Sequence, residues 1–246
     1  MVHTLNFAHR GYSALYPENT MLAFEKAIQA GCDGIELDVQ LSRDGQVVIC
    51  HDETLDRTTN GTGPLAQYTL AELQALCAGR APDGSPCRLP TLAEYFALAA
   101  PAGILTNIEL KTGVNPYPGL EEKVLEQIRA FGVADRVIVS SFNHYSIRRM
   151  KQLAPALPCG LLTESWIVDF ADYAKHVGAE CVHPIYFYLE APHVQALHAA
   201  GIRINTWTVN DPAAMRDLLG KGVDGLIGND PALTGQVIRA WEAEHR

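Results

Sequence analysis

The sequence predicts an α/β fold, a (β/α)8 barrel with an insertion after the second strand. Three observations carry this expectation. The chain has 246 residues, 48% of them hydrophobic, and a single α/β barrel commonly takes about 250 residues. Short apolar runs alternate with amphipathic stretches along the whole chain, as βαβ units require. No G-x-G-x-x-G and no P-loop follows the first apolar run, which disfavours the rival arrangement, an open doubly wound sheet. No repeat, low-complexity tract or Gly/Ser linker divides the chain, so residues 1–246 read as one domain.

The first strand spans 5–9, and Asn19 or Thr20 caps a helix near 19–30. The second strand is 34–41. After the insertion, Thr91 with Glu94 forms a capping box for a helix over 91–100. A strand at 104–110 and a helix at 119–131 follow, then a strand at 137–141 and, behind the cap Asn143, a helix over 144–154. The remaining strands are 160–163, 180–183, 203–208 and 225–227, with helices at 168–177, 190–200, 211–220 and 231–243. Asp211 before Pro212 is a cap followed by proline in the first turn. Gly31, Gly132, Gly178 and Gly201 fall just past helix ends, where a left-handed residue is wanted.

Residues 42–90 break the rhythm and form the expected insertion of hairpin, loop and short helix. The pair Asp44-Gly45 between alternating residues is a strong hairpin signal. A two-residue turn there pairs Arg43 with Gln46 and sets Asp38 opposite His51, on one face of the sheet. A slip of one residue turns His51 away. Beyond it, residues 58–63 are loop chemistry, and Thr69 with Glu72 starts a short helix. So long an excursion from a barrel is usually functional.

The chain carries 28 Asp+Glu against 19 Lys+Arg, a net charge of −9. That balance excludes a protein that coats nucleic acid or anionic membrane with clustered cations. Met1 to Phe7 lack the basic and apolar segments of a secretory signal. The longest apolar stretch, broken by Pro101 and Gly103, is too short to span a bilayer. Six cysteines form no C-x-x-C pair, and several fall in apolar patterns, so they read as reduced thiols of a cytoplasmic protein.

Catalytic groups of such barrels sit where strands end. Those ends carry His9-Arg10-Gly11, Glu36-Leu37-Asp38, Glu109-Leu110-Lys111, Ser140-Ser141-Phe142 and Trp207-Thr208. Period two places Glu36 with Asp38, and Glu109 with Lys111, on one face. Three carboxylates at one mouth repel unless a cation neutralises them, and an all-oxygen set suits Mg²⁺ or Ca²⁺ better than Zn²⁺. A doubly charged ion still leaves one negative charge, so an anionic substrate needs Arg10 and Lys111, the guanidinium being shaped for phosphate. His9 and His51 then remain as general acid and base. Each motif alone is weak, a solvated carboxylate, a surface ion pair or a core histidine, but their conjunction points to phosphoryl chemistry. Trp207 either fills the barrel or walls the pocket. His183, before Pro184, is the one further histidine near a strand end with a claim on the pocket.

These motifs, with Pro17-Glu18-Asn19-Thr20, Gly34 to Val39, Asp44-Gly45, His51-Asp52, Leu55 to Gly61 and Asn107 to Lys111, resemble the signature of the glycerophosphodiester phosphodiesterases. The resemblance implies a TIM barrel related to phosphatidylinositol phospholipase C, and hydrolysis of glycerophosphodiesters to sn-glycerol 3-phosphate and an alcohol. Carried over by position, His9 and His51 are its acid/base pair, Glu36, Asp38 and Glu109 its metal ligands, and Arg10 and Lys111 its phosphate ligands. The nucleophile it implies is the glycerol 2-hydroxyl, giving a cyclic phosphate; water is equally compatible with the residues. One departure is Gly228-Asn229-Asp230, where the family commonly has Thr-Asp. It is expected to touch no catalytic residue.

The expected partner is a small glycerophosphodiester, without nucleic acid or stable membrane insertion. No fixed residues identify the alcohol half, so loose demands on it are expected. A lysophospholipase D or sphingomyelinase-D-like enzyme is the nearest alternative and would carry an exposed apolar rim. A non-catalytic ligand-binding barrel would have lost one of His9, His51, Glu36, Asp38 or Glu109, and all five are present.

Overall fold

The computed structural model describes residues 3–245; Met1, Val2 and Arg246, at the ends of the expected domain, lie outside it. In chain order the elements are β1 (Leu5–His9), α1 (Met21–Gln29), β2 (Gly34–Leu41), β3 (Val47–Ile49), α2 (Leu70–Gln74), α3 (Leu92–Ala102), β4 (Leu105–Leu110) and α4 (Leu120–Ala130). There follow β5 (Val137–Ser141), α5 (His144–Leu153), β6 (Cys159–Thr163), α6 (Phe170–Val177), β7 (Cys181–Pro184), α7 (Ala191–Ala199), β8 (Arg203–Thr206), α8 (Pro212–Lys221), β9 (Gly225–Gly228) and α9 (Pro231–Glu244). Strands β1, β2 and β4 to β9 pair in parallel, and β1 bonds both β2 and β9, which closes an eight-stranded barrel.

Local chemistry places the helices. Thr20 accepts from the N–H of Ala23, Thr91 and Glu94 form a reciprocal capping box, and Asp211 accepts from Ala214. Gly31, Gly132, Gly178 and Gly201 all take left-handed φ, between 64° and 93°. Asn19 is not the cap: it is itself left-handed, at φ 56°. Strand β8 stops at Thr206, two residues short of the expected end, and the next peptide, Trp207–Thr208, is cis.

Between β2 and α3 the chain forms β3, a single 3-10 turn at Leu65–Gln67 and α2. Val48, Leu55, Leu65, Leu73 and Leu89 bury a small core of their own under this segment. The hairpin differs from expectation. Its connection is a three-residue loop: the Ser42 N–H donates to the Gln46 carbonyl and Gly45 takes φ 74°, the form in which a left-handed third residue closes the loop. The Ser42 hydroxyl, bonded to Asp44 and to the Gln46 N–H, stabilises it. Register is therefore one residue from that expected, with Val39 opposite Ile49, and Asp38 meets Cys50 through the Cys50 N–H. His51 still reaches the mouth, because the ladder ends at Ile49. There the Gln40 amide donates to the carbonyls of Cys50 and Asp52, 2.8 Å each, and turns the chain inward.

Two apolar layers hold the barrel. The larger packs strands against helices and includes Ile35, Leu37, Val39, Phe24 and Tyr95. The smaller fills the barrel itself with Phe7, Ile138, Cys181 and Ile227. All six cysteines are free thiols. Among the described residues, no helix is long and apolar enough to cross a membrane.

Candidate active site

The charged residues gather in a cavity of about 240 Å³ at the C-terminal ends of the strands, lined by His9, Arg10, Glu36, His51, Asn107, Glu109, Lys111, Phe142, Leu162, Glu164, Trp207 and Ile227. All eight residues singled out in the sequence belong to this region; Asp38 lies just beneath the lining, fully buried. Parallel register does the assembling. His9 pairs with Glu36, and Asp38 with Glu109. One carboxylate oxygen from each of Glu36, Asp38 and Glu109 lies within 4.8 Å of the other two.

Backbone geometry at the first strand end is unusual. Arg10 is left-handed at φ 56°, followed by Gly11 at 80°, the kind of strain found where function over-determines a conformation. Glycine is required at 11, because a Cβ there would stand 2.7 Å from the Ala23 backbone. The turn aims the Arg10 N–H at the Glu36 carboxylate (3.1 Å) and its guanidinium at Glu18 (2.8 Å), with Nε 3.5 Å from Asp38. Lys111 Nζ donates to Glu109 (2.9 Å) and stands 3.9 Å from Asp38. Asn19, left-handed, donates its amide to Asp38 (2.8 Å).

The electrostatics divide the three carboxylates. Burial, with the charges of Asp38 and Glu109, pushes Glu36 well above the usual carboxylate range. Burial and Asp38 push Glu109 up to about 7, despite Lys111. Asp38 goes the other way: burial opposes its charge, but Arg10, His51, Lys111 and the Asn19 amide outweigh it. Oδ1 of Asp38 is buried without a hydrogen-bond partner. Two carboxylates that resist ionisation beside a third with an unused oxygen fit a cation-binding set, and oxygen-only donors fit a hard one.

Both histidines are held through Nδ1, leaving Nε2 for chemistry. His51 Nδ1 bonds Asp52 (2.6 Å), Asp52 is gripped by Arg57, and Arg57 forks onto Glu18, the partner of Arg10. His9 Nδ1–H donates to the amide oxygen of Asn229 (2.7 Å), and Nε2 faces Glu36 at 3.9 Å. The expectation that the Gly228-Asn229-Asp230 departure touches no catalytic candidate is thus wrong. Barrel closure through β1 and β9 brings position 229 onto His9. Glu18, Asp52 and Arg57 stood inside the quoted motifs without a role; Asn229 had no signal beyond being unlike the family. Burial, then Arg203, drives the core histidine His183 down to about 3. It lies beneath the cavity between Asn107 and Asn205 and does not line it. Trp207 walls the pocket, its Nε1–H fixed on the His183 carbonyl at 2.7 Å.

Comparison with known proteins agrees with this geometry. The glycerophosphoryl diester phosphodiesterase family model matches residues 9–233. The chain is 43% identical over 238 residues to a glycerophosphodiester phosphodiesterase of Caldanaerobacter subterraneus, covering 96% of this chain and 98% of the relative. It is 41% identical to one of Bacillus altitudinis, covering 92% and 94%. Among solved structures, a phosphodiesterase of Oleispira antarctica in complex with the product sn-glycerol-3-phosphate superposes with a TM-score of 0.90 at 29% identity, covering 96% and 97% of the two chains. Fold, cavity and sequence agree that this chain belongs to the glycerophosphoryl diester phosphodiesterase family of phosphoric diester hydrolases.

Proposed function

We propose that the protein hydrolyses glycerophosphodiesters to sn-glycerol 3-phosphate and an alcohol, with Mg²⁺ or Ca²⁺ held by Glu36, Asp38 and Glu109 and with His9 and His51 as base and acid. The observation that carries this reading is the convergence of three buried carboxylates, two cations and two Nδ1-anchored histidines on one cavity. Bound there, the metal supplies Lewis-acid stabilisation of charge on the phosphate. Arg10 and Lys111 bind phosphate oxygens and fix the group in place. Burial, then Arg10, lowers His9 to about 4, so its ring is neutral near pH 7 and its free Nε2 takes a proton from the attacking hydroxyl of glycerol or water. As that oxygen bonds to phosphorus, the bond to the alcohol oxygen breaks, and His51 Nε2 gives that oxygen a proton. With water attacking, this yields glycerol 3-phosphate directly. With the glycerol hydroxyl attacking, it leaves a cyclic phosphate that water then opens, adding to phosphorus as the bond to the 2-oxygen breaks and that oxygen is reprotonated. Retention of the glycerol half is supported by the product held in the Oleispira antarctica relative. Six free thiols accord with a reducing, cytoplasmic setting.

The test is release of glycerol 3-phosphate from glycerophosphocholine before and after exhaustive chelation. Chelation abolishes it and Mg²⁺ or Ca²⁺ restores it; full activity in chelator overturns the metal, and no release at all overturns the function. His9→Ala and His51→Ala each lose about 10² to 10⁴ in rate. A nitrophenyl ester, whose departing oxygen needs no proton, rescues His51→Ala more than His9→Ala; equal rescue contradicts the assignment.

A second reading has one observation in its favour. Trp166, Val168 and Phe187, on loops after β6 and β7, are 55%, 86% and 66% exposed, the apolar rim expected of an enzyme acting on single-chain lysophospholipids. Cleavage of monomeric lysophosphatidylcholine faster than of glycerophosphocholine would favour it.

A further inference from the structure

We propose that Glu164, Phe142 and Trp207 form a subsite for a positively charged alcohol, so that the enzyme prefers glycerophosphodiesters whose departing group carries an ammonium. This deepens the phosphodiesterase reading and rests on it.

Strand order gives the cavity lining two arcs: β1, β2 and β4 with the segment after β3 supply the carboxylates, the histidines, Arg10 and Lys111, and the ends of β5, β6, β8 and β9 supply Phe142, Leu162, Glu164, Trp207 and Ile227. On that second arc the Phe142 and Trp207 rings stand 5.4 Å apart at 87°, so their planes form a corner. Trp207 cannot swing freely, because its indole N–H is fixed on the His183 carbonyl. Phe142 is open to the mouth. Glu164 follows directly on β6 and, among the described residues, makes no ion pair or hydrogen bond. On the other arc Arg10 stands beside Asp38 and Lys111 beside Glu109, while Glu36 accepts the Arg10 N–H and faces His9. Neither Arg10 nor Lys111 pairs with Glu164.

An unpaired carboxylate lining the same cavity as a corner of aromatic rings is complementary to an alkylammonium, which gains from both the charge and the ring quadrupoles. A neutral alcohol such as glycerol gains from neither. Glu164 is exposed and stays hydrated when no cation is present, so discrimination is moderate, about tenfold in kcat/KM. The expectation of indifference to the alcohol is replaced by a preference for choline and ethanolamine esters.

The experiment compares glycerophosphocholine with its 3,3-dimethylbutyl isostere, in which carbon replaces the quaternary nitrogen and only the charge is lost. The wild-type enzyme is expected to favour the choline ester about tenfold in kcat/KM, and Glu164→Gln to bring that ratio most of the way to one. Equal kcat/KM for the two esters in the wild type overturns the proposal, whatever the variant does. So does a Glu164→Gln variant that slows both esters and keeps their ratio. If neither ester turns over, the phosphodiesterase reading fails by itself. The charge preference is then read as binding of the two esters by calorimetry, where equal affinity overturns it.

Discussion

The barrel carries acidic side chains at both ends of its strands and treats them in opposite ways. At the end where strands begin, Asp33, Glu180 and Asp224 accept the backbone N–H of Asn6, Cys159 and Ile204 in the neighbouring strand, at 2.8, 2.9 and 2.8 Å. Each also meets a basic side chain: His3, Lys151 and His198 respectively. At the other end, Glu36, Asp38 and Glu109 are aimed at one another. Two of them are pushed toward their neutral forms, and one buried oxygen has no partner. The same residue type closes hydrogen bonds at one end and crowds three carboxylates together at the other. Stability is built where the strands start, and binding capacity where they stop.

The sharpest way to break that contrast is Glu36→Gln. Removing one mouth carboxylate is expected to lower kcat/KM by about 10² to 10³, while the thermal midpoint of the metal-free protein stays level or rises because repulsion is relieved. A variant that loses both activity and stability would make Glu36 a structural residue like those at the far end.

Asn229→Ala tests whether the mouth depends on its supporting shell. Loss of the bond that orients His9 is expected to cost about 10- to 100-fold, mostly in kcat, as for other groups that orient a site residue. Substitution by Asp, which keeps an acceptor, should recover more activity than Ala; identical values for the two would remove Asn229 from the site.

His183 lies between the two ends and gives a pH dependence of stability. Burial, with Arg203, holds its folded pKa down at about 3, against an ordinary 6.5. Between those values the unfolded chain binds a proton and the folded one does not. Stability therefore falls as pH drops through that window, by up to about 1.4 kcal/mol per unit. Denaturant titrations from pH 7 to 4.5 should show this slope reduced by that amount in His183→Gln; equal slopes would contradict it.

The smallest effect belongs to the starting end. Asp224→Ala leaves the Ile204 N–H and His198 without their acceptor and is expected to cost about 1 to 3 kcal/mol of stability with kcat/KM unchanged. A large loss of activity there would dissolve the contrast.

Much of this is legible in the sequence. Alternation with period two put Glu36 and Asp38 on one face because successive side chains of a strand must point to opposite sides. Cap and glycine chemistry located helix ends to within a few residues, because Thr91 with Glu94 and Gly178 satisfy groups only residues away. What failed was non-local or depended on one loop residue. The hairpin register turned on whether Gly45 closed a two- or three-residue loop, and both fit the same sequence. Asn229 lies 220 positions from His9, and no local pattern encodes that meeting.

From residue order alone follow the alternation of strands and helices, the identity of the chemistry-bearing side chains and the faces they occupy, all consequences of backbone geometry within a few residues. Tertiary pairing decided the rest: that three carboxylates share one cavity, that Asn229 orients His9, and that Glu164 lines that cavity together with two aromatic rings. The carboxylates meet through β2–β4 pairing, and Asn229 meets His9 only once β9 has bonded β1. These are contacts between segments distant in sequence, whose burial then gives each charge its cost.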